Sequence, residues 1–286
     1  MKETELITNN DGSIFHLHLQ PGEVAKKIII VGDPGRVDMI GQHLKDIRVR
    51  KSNREFFTVT GNYNEKEISI ISSGIGTDNI DILVNELDAL FNYNLESGDQ
   101  LTERTSLTLV RLGTSGGLQP DLQPGQAIIS EKAIGFDAVM NYYQGIQDIT
   151  DPVFESAFMR HTLWHDRLPR PYIVDASSEL LDKFSETGFI KGMTISTPGF
   201  YAPQGRRISL APIDEDINEK IMTFRYKGNR ILNYEMESSA IYGLSSLLGH
   251  KAITICSAIG NRVTGKFLKD YTPVMNELAL KVLEII

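Results

Sequence analysis

The sequence predicts an α/β protein, and three observations carry that prediction. Apolar runs rich in β-branched residues recur at Ile28–Val31, Ile68–Ser72, Leu107–Leu112, Ala127–Ser130 and Ile253–Ala258. Runs of this kind, without polar alternation, read as strands covered on both faces of a sheet. Helical spacing of apolar residues fills several of the intervals between them, and Gly or Pro residues close the strands abruptly, as at Gly32-Asp33-Pro34-Gly35. Strands alternating with helices build a three-layer α/β/α sandwich around a central mixed, mostly parallel sheet. No linker-like stretch or internal repeat divides residues 1–286, so one domain is expected.

The first run ends in the Gly-Asp-Pro-Gly turn, with Arg36 following at once. Ligands of open α/β sheets bind at the carboxyl ends of strands. Bare N–H groups beside a guanidinium suit an anion such as phosphate; an ordinary strand-to-helix turn accounts for this segment equally well. Ile68–Ser72 leads into the glycine-rich turn Ser73-Gly74-Ile75-Gly76 and a helix from Asp78 to Asn92. Ile80, Leu83, Val84, Leu87 and Leu90 give that helix its apolar face, and Asp78 or Asn79 is its expected cap. The turn lacks the P-loop lysine and the dinucleotide fingerprint, so tight helix–strand packing explains it as well as an anion does.

Asn94–Arg104 is polar and reads as a surface loop. The next strand carries Arg111 among Leu and Val, followed by Gly113-Thr114-Ser115-Gly116-Gly117. A buried arginine is costly unless it meets an anion, either a ligand or a core carboxylate. Gly145–Arg170, with Trp164 and Pro169, is expected to pack across the surface. In Thr197–Arg206, Gln204 and Arg206 offer in-plane donors and an acceptor for the edge of a heterocycle, and Phe200 offers a stacking face. An irregular surface loop is the plain alternative.

Glu235-Met236-Glu237 sets two carboxylates beside a thioether at the start of a helix running from Met236 to Leu248, with Gly249 as its stop. Paired carboxylates suit a sugar diol, and methionine gives an apolar floor. An acid-rich helix start favoured by the helix dipole is the plain alternative. The tail Tyr271–Ile286 is amphipathic, with Val274, Leu278, Val282 and Ile285 on one side.

Composition narrows the function classes. The formal net charge is -8, which argues against a nucleic-acid partner and means that an anionic substrate needs a local cluster of arginines. The lone Cys256 cannot form an internal disulfide, and no Cys/His metal spacing exists. No run approaches ~20 apolar residues, so no membrane span is expected. The N-terminus lacks a basic and apolar leader, which points to the cytoplasm.

Seven motifs in order resemble the purine/uridine phosphorylase family, the nucleoside phosphorylase-I superfamily, and its uridine-cleaving members most. They are Phe15-His16-Leu17, Gly32-Asp33-Pro34-Gly35-Arg36, Asn53-Arg54-Glu55-Phe56, Gly74-Ile75-Gly76, Arg111-Leu112-Gly113-Thr114, Tyr234-Glu235-Met236-Glu237-Ser238 and Ile259-Gly260-Asn261-Arg262. The resemblance implies phosphate binding by Gly32, Arg36, Arg111 and Thr114, with Arg54 lent by a neighbouring subunit. It implies ribose binding by Glu235, Met236 and Glu237, with His16 reaching the 5′-hydroxyl of the partner's ribose. For the base it implies Phe200, Gln204 and Arg206, with Arg262 assisting and Gly116 in the same wall.

The resemblance further implies a homo-oligomer of at least two subunits with shared sites, and a hexamer built as a trimer of dimers remains open. Inorganic phosphate is the implied co-substrate, with no organic cofactor and no metal. The monovalent cation of well-known bacterial members is held with a serine; Gly76-Thr77-Asp78-Asn79 replaces that segment here, although Glu55 remains. Purine-cleaving members protonate the leaving base with an aspartate after the last core strand, where this chain has Ile259-Gly260-Asn261-Arg262. Uridine phosphorolysis to uracil and ribose 1-phosphate is therefore the expected reaction. Purine phosphorolysis, a water-using nucleosidase and a catalytically dead nucleoside-binding module are the alternatives.

Overall fold

A computed structural model describes residues 4–286. Its first half comprises β1 (Lys27–Val31), α1 (Pro34–Gly41), β2 (Lys45–Asn53), β3 (Phe56–Tyr63), β4 (Lys66–Ser72), α2 (Thr77–Asn92), β5 (Thr108–Gly117) and β6 (Ala127–Gly135). There follow α3 (Ile146–Ile149), α4 (Pro152–Thr162), β7 (Tyr172–Asp175), α5 (Ser178–Lys183), β8 (Ile190–Ser196) and α6 (Ile217–Thr223). The chain ends with β9 (Arg225–Tyr226), β10 (Asn229–Glu235), α7 (Ser238–Leu248), β11 (Lys251–Asn261) and α8 (Thr272–Ile285).

One sheet runs in the order β2-β3-β4-β1-β5-β11-β6-β8-β10-β9, with β7 on β6. It is mixed: β4–β1–β5–β11 and β6–β8–β10 pair in parallel. The β2–β3–β4 flank, the β11–β6 and β6–β7 seams and β9–β10 are antiparallel. β10 also pairs antiparallel with β5, Tyr234 opposite Gly116, so β5, β11, β6, β8 and β10 close on one another. That closure carries the β10 end to the β5 end.

Both faces of β1 are covered, as its uniformly apolar sequence requires. Ile28 and Ile30 point into a core with Leu83 and Leu87 of α2 and Ile241 and Leu244 of α7. Ile29 and Val31 point into the opposite core with Val37 and Ile40 of α1 and Leu278 and Val282 of α8. Leu83 is fully buried in the first of these cores. Leu83→Ala is expected to cost about 2–5 kcal/mol through lost contacts and a residual cavity, measurable as a lower urea midpoint.

The helix over Thr77–Asn92 starts without the expected side-chain cap: Gly76 holds the cap position at φ 101°, a left-handed conformation that glycine tolerates. Gly249 ends α7 in the left-handed region, as expected from its position. The stretch 145–170, expected to pack across the surface, holds α3 and α4. Asp151 caps α4 by accepting from the Val153 and Phe154 amides, and Phe154 and Phe158 bury themselves against β7 and α6 residues. Asn94–Arg104 is a surface loop, pinned by Arg104 on the buried Asp88 at 3.0 Å.

Candidate active site

The carboxyl ends of β1, β4 and β5, the β10–α7 junction and two long loops enclose a cleft of about 970 Å³. That is enough for a small polar ligand and a second anion. Gly32, Arg36, Arg111, Thr114, Gly116, Phe200, Gln204, Arg206, Glu235, Met236, Glu237 and Arg262 all line it.

At one end, Asp33 accepts from the Gly35 amide and caps α1, so helix and strand meet in the tight turn expected there. Arg36 leans back across the sheet, and its Nη1 donates to the Leu112 carbonyl at 3.2 Å. Arg36 makes no ion pair with a protein carboxylate within 4.0 Å among the described residues. Burial lowers its pKa, and the nearby Arg111 adds to that effect. Parallel register places Ile30 of β1 beside Arg111 of β5, and α1, which follows β1, carries Arg36 at that same end of the sheet.

Arg111 is only 4% exposed and is already paired. Its guanidinium bonds Glu237 closely, lies 3.1 Å from Glu235, and donates to Cys256 Sγ at 3.2 Å. Of the two anions anticipated for a buried arginine, the core carboxylates are the ones that hold it here, and the residue also lines the cleft. A side chain at Gly113 would place Cβ 2.1 Å from Arg111 Nη1, so a glycine is needed for the guanidinium to fold over the strand. One cation shared by two buried carboxylates has two electrostatic consequences. Arg111 is held firmly charged, and burial with the neighbouring Glu235 pushes the Glu237 pKa up despite Arg111.

The two glutamates differ in what they have left to offer. Glu235 accepts from the Ser196 hydroxyl, from the Glu237 amide at 3.0 Å and from the Ser238 amide at 3.0 Å, and lies 3.1 Å from Arg111 as an ion pair, so both its oxygens are engaged. It thereby caps α7, which begins at Ser238 rather than at Met236. Among the described residues, Glu237 accepts only from the Gly76 amide, at 2.8 Å, and from Arg111. It keeps acceptor capacity for a diol.

At the other end, the Arg206 guanidinium lies 3.7 Å from the Phe200 ring centroid and bonds the Phe200 carbonyl and Gln204 Oε1. Gln204 is buried, and its amide nitrogen donates to Thr197 Oγ1 at 3.0 Å. Arg262 donates to the Gln204 carbonyl at 2.9 Å. Burial, then the proximity of Arg262, lowers the Arg206 pKa to about 10. This end thus holds two guanidiniums and an amide around one aromatic face.

Asn261 positions rather than reacts. Its amide nitrogen donates to the Gln119 and Leu122 carbonyls at 2.8 and 2.6 Å, and its oxygen accepts from Val263 and Thr264, both at 2.9 Å. An aspartate could not make the two donations. Asn261→Asp is expected to lose about 2 kcal/mol or more, from orphaned carbonyls and a buried charge, without gaining inosine cleavage. Denaturation and a base-release assay read the two effects.

Two anticipated residues sit elsewhere. Arg54 is exposed in the turn between β2 and β3 at φ 54°, its guanidinium 5.8 Å from the Phe15 ring. His16 Nδ1 lies 2.6 Å from Glu86, and Asn53 bonds the His16 carbonyl at 2.8 Å. The two therefore share a patch outside the lining of their own cleft. Glu55, Asn79, Tyr234, Lys266 and Phe267 also line the cleft. Lys266 and Phe267 reach it because β11 continues into a return in which Phe267 bridges Gly260, a feature without sequence periodicity. Asn79 donates its amide nitrogen to the Ile75 carbonyl at 3.3 Å.

The family model described as the phosphorylase superfamily matches residues 26–285. A uridine phosphorylase of Thermococcus kodakarensis is 27% identical over 261 residues, covering 91% of this chain and 81% of that protein. A guanosine phosphorylase of Halorubrum lacusprofundi is 26% identical over 252 residues, covering 87% and 84%. Among solved structures, a Trypanosoma brucei nucleoside phosphorylase reported to show uridine phosphorylase activity superposes with TM-score 0.83 at 27% identity, covering 97% of this chain and 98% of that one. With a cation-rich strand end, a carboxylate pair and an amide-and-guanidinium loop in one cleft, and a family match over most of its length, this chain belongs to the phosphorylase superfamily.

Proposed function

We propose that this protein cleaves uridine by phosphorolysis, releasing uracil and ribose 1-phosphate. The observation that carries this reading is the division of the cleft. Its lining carboxylates are Asp33, Glu55, Glu235 and Glu237, and none comes from the 197–206 loop or the 260–268 segment. A purine leaving through an imidazole nitrogen gains most from a proton donor. A pyrimidine leaving through N1 spreads its charge onto carbonyl oxygens, which neutral and cationic N–H donors stabilise. Gln204, Arg206 and Arg262 supply such donors.

In the proposed reaction Glu237 holds the ribose hydroxyls over Met236, while Arg36, Arg111 and Thr114 set phosphate against C1′. The glycosidic bond breaks toward a ribosyl cation, its electron pair leaving with the base. A phosphate oxygen then bonds C1′ from the opposite face, and the proton of the hydrogen phosphate ends on the departing base, giving neutral uracil. The protein contributes positioning and preorganised charge rather than a covalent nucleophile. Arg54 and His16 complete a neighbouring subunit's site, so the active species is at least a dimer. Full activity from a monomer, measured by light scattering alongside the assay, would contradict that sharing.

The deciding experiment incubates the protein with uridine, thymidine, inosine and guanosine, with and without phosphate, and follows base release. Phosphate-dependent uracil release supports the proposal. Faster inosine or guanosine cleavage would favour the purine reading, which the Halorubrum relative keeps open. Arg36→Ala is expected to lower kcat/KM for phosphate about 10²-fold, the scale for losing one preorganised donor. It should change stability little, because among the described residues the Arg36 side chain makes a single hydrogen bond, to the Leu112 carbonyl. A phosphate titration with a thermal melt checks both.

A further inference from the structure

A second buried polar cluster lies behind the cleft, built from residues with no assigned role. The Asp137 carboxylate, after β6, accepts from Tyr172 Oη at 2.9 Å, from Ser239 Oγ at 2.9 Å and from the Val139 amide at 2.9 Å. Tyr172 reaches it by lying across Gly135, where any Cβ would sit 2.3 Å from the tyrosine ring. Ser239 stands in the first turn of α7, and its amide donates to Ser196 Oγ at 2.9 Å. Because that oxygen accepts from Ser239, its own proton is directed to Glu235, which in turn holds Arg111.

We propose that Asp137 is a positioning residue for phosphate binding, acting through Ser239, Ser196 and Glu235 to fix the Arg111 guanidinium. The inference rests on the reading that Arg111 helps to hold phosphate. Two features aim the effect at phosphate rather than at the nucleoside. Glu235 has both oxygens engaged by protein groups, so a shift in it passes to Arg111. Glu237, the carboxylate with capacity for ribose, has its own anchor in the Gly76 amide. Asp137 is half-buried and absent from the cleft lining, and of its three partners Ser239 connects it to the cleft, so any effect it has there passes through that hydrogen-bonded chain.

The test uses the intact protein with Ser239→Ala, Asp137→Asn and the double variant. Calorimetry with inorganic phosphate gives its Kd, kinetics give both KM values, and melting reports the fold. Each single variant is expected to raise the phosphate Kd and KM about tenfold and to move the nucleoside KM less than about twofold. The double variant should be no worse than the poorer single one, as coupled residues behave.

An unchanged phosphate Kd with only a lower melting temperature overturns the proposal, as does equal loss of affinity for both substrates. Should Asp137→Asn fail to fold, Ser239→Ala alone decides, because it removes one hydroxyl. A wild type that binds phosphate but spares uridine removes the proposed reaction while leaving this inference to the phosphate Kd. A wild type that binds no phosphate removes both.

Discussion

Arg111→Ala is expected to abolish phosphate-dependent cleavage and to destabilise the fold by about 3–5 kcal/mol, the cost of breaking a buried ion pair by removing one partner. Both losses have one cause. Glu235 and Glu237 are 3% and 4% exposed, and Arg111 is the only cation within ion-pair distance of either among the described residues. Without it two buried carboxylates face each other unpaired, and that end of the cleft keeps Arg36 from its own chain. Chemical denaturation gives the first loss and a phosphate titration the second. Near-normal turnover at low phosphate would sink the assignment. The contrast with Arg36→Ala is the informative part: one arginine serves the fold and the site together, the other mainly the site.

Glu237→Gln carries the second large effect, about 10²-fold in kcat/KM, together with a changed pH profile. Both carboxylate oxygens accept, one from the Gly76 amide and one from Arg111, so an amide cannot satisfy both in either orientation. The stability cost should be about 1–3 kcal/mol, that of a buried donor left without a partner. The pH dependence has a definite sign. Burial raises the Glu237 pKa, so protonation begins above the usual glutamate range and activity falls as pH drops through that raised value.

Stability linked to the same group runs the other way. A raised folded-state pKa contributes stability below the unfolded pKa, and that contribution is lost as pH rises through the folded value. In Glu237→Gln the acid limb of kcat/KM due to this group should disappear. An unchanged acid limb in that variant would assign the titration to another group.

Much of the site was legible in the sequence because it sits where a strand stops. Arg36, Gln204, Arg206, Met236 and Glu237 each lie just beyond a strand end or in a Gly/Pro loop, Thr114 lies in the carboxyl-terminal half of β5, and all line the cleft. What the sequence left open was division of labour. Glu235 and Glu237 look equivalent two residues apart, but only the folded chain turns one into a helix cap and leaves the other with acceptor capacity. Asn261 stands at the end of the last core strand, in the place the resemblance gives to an acid in purine-cleaving members, and only its four hydrogen bonds to backbone groups show it to be a brace. The hairpin strands over 45–63 have no apolar run to announce them: their exposed flank alternates irregularly, and pairing with β4 holds them in the sheet.

The sequence by itself determined the α/β class, the buried strands, the principal helices and the residue types of an anion-and-nucleoside cleft. These follow from local periodicity and from the chemistry of side chains placed at strand ends. The tertiary structure decided how the charges are shared, because that depends on contacts between distant segments. Arg111 meets Glu237 only when β5 and β10 close the sheet on itself, and Asp137 reaches Ser239 only when α7 packs back over β6. Electrostatics in a buried site is a property of distance and desolvation, and sequence spacing encodes neither.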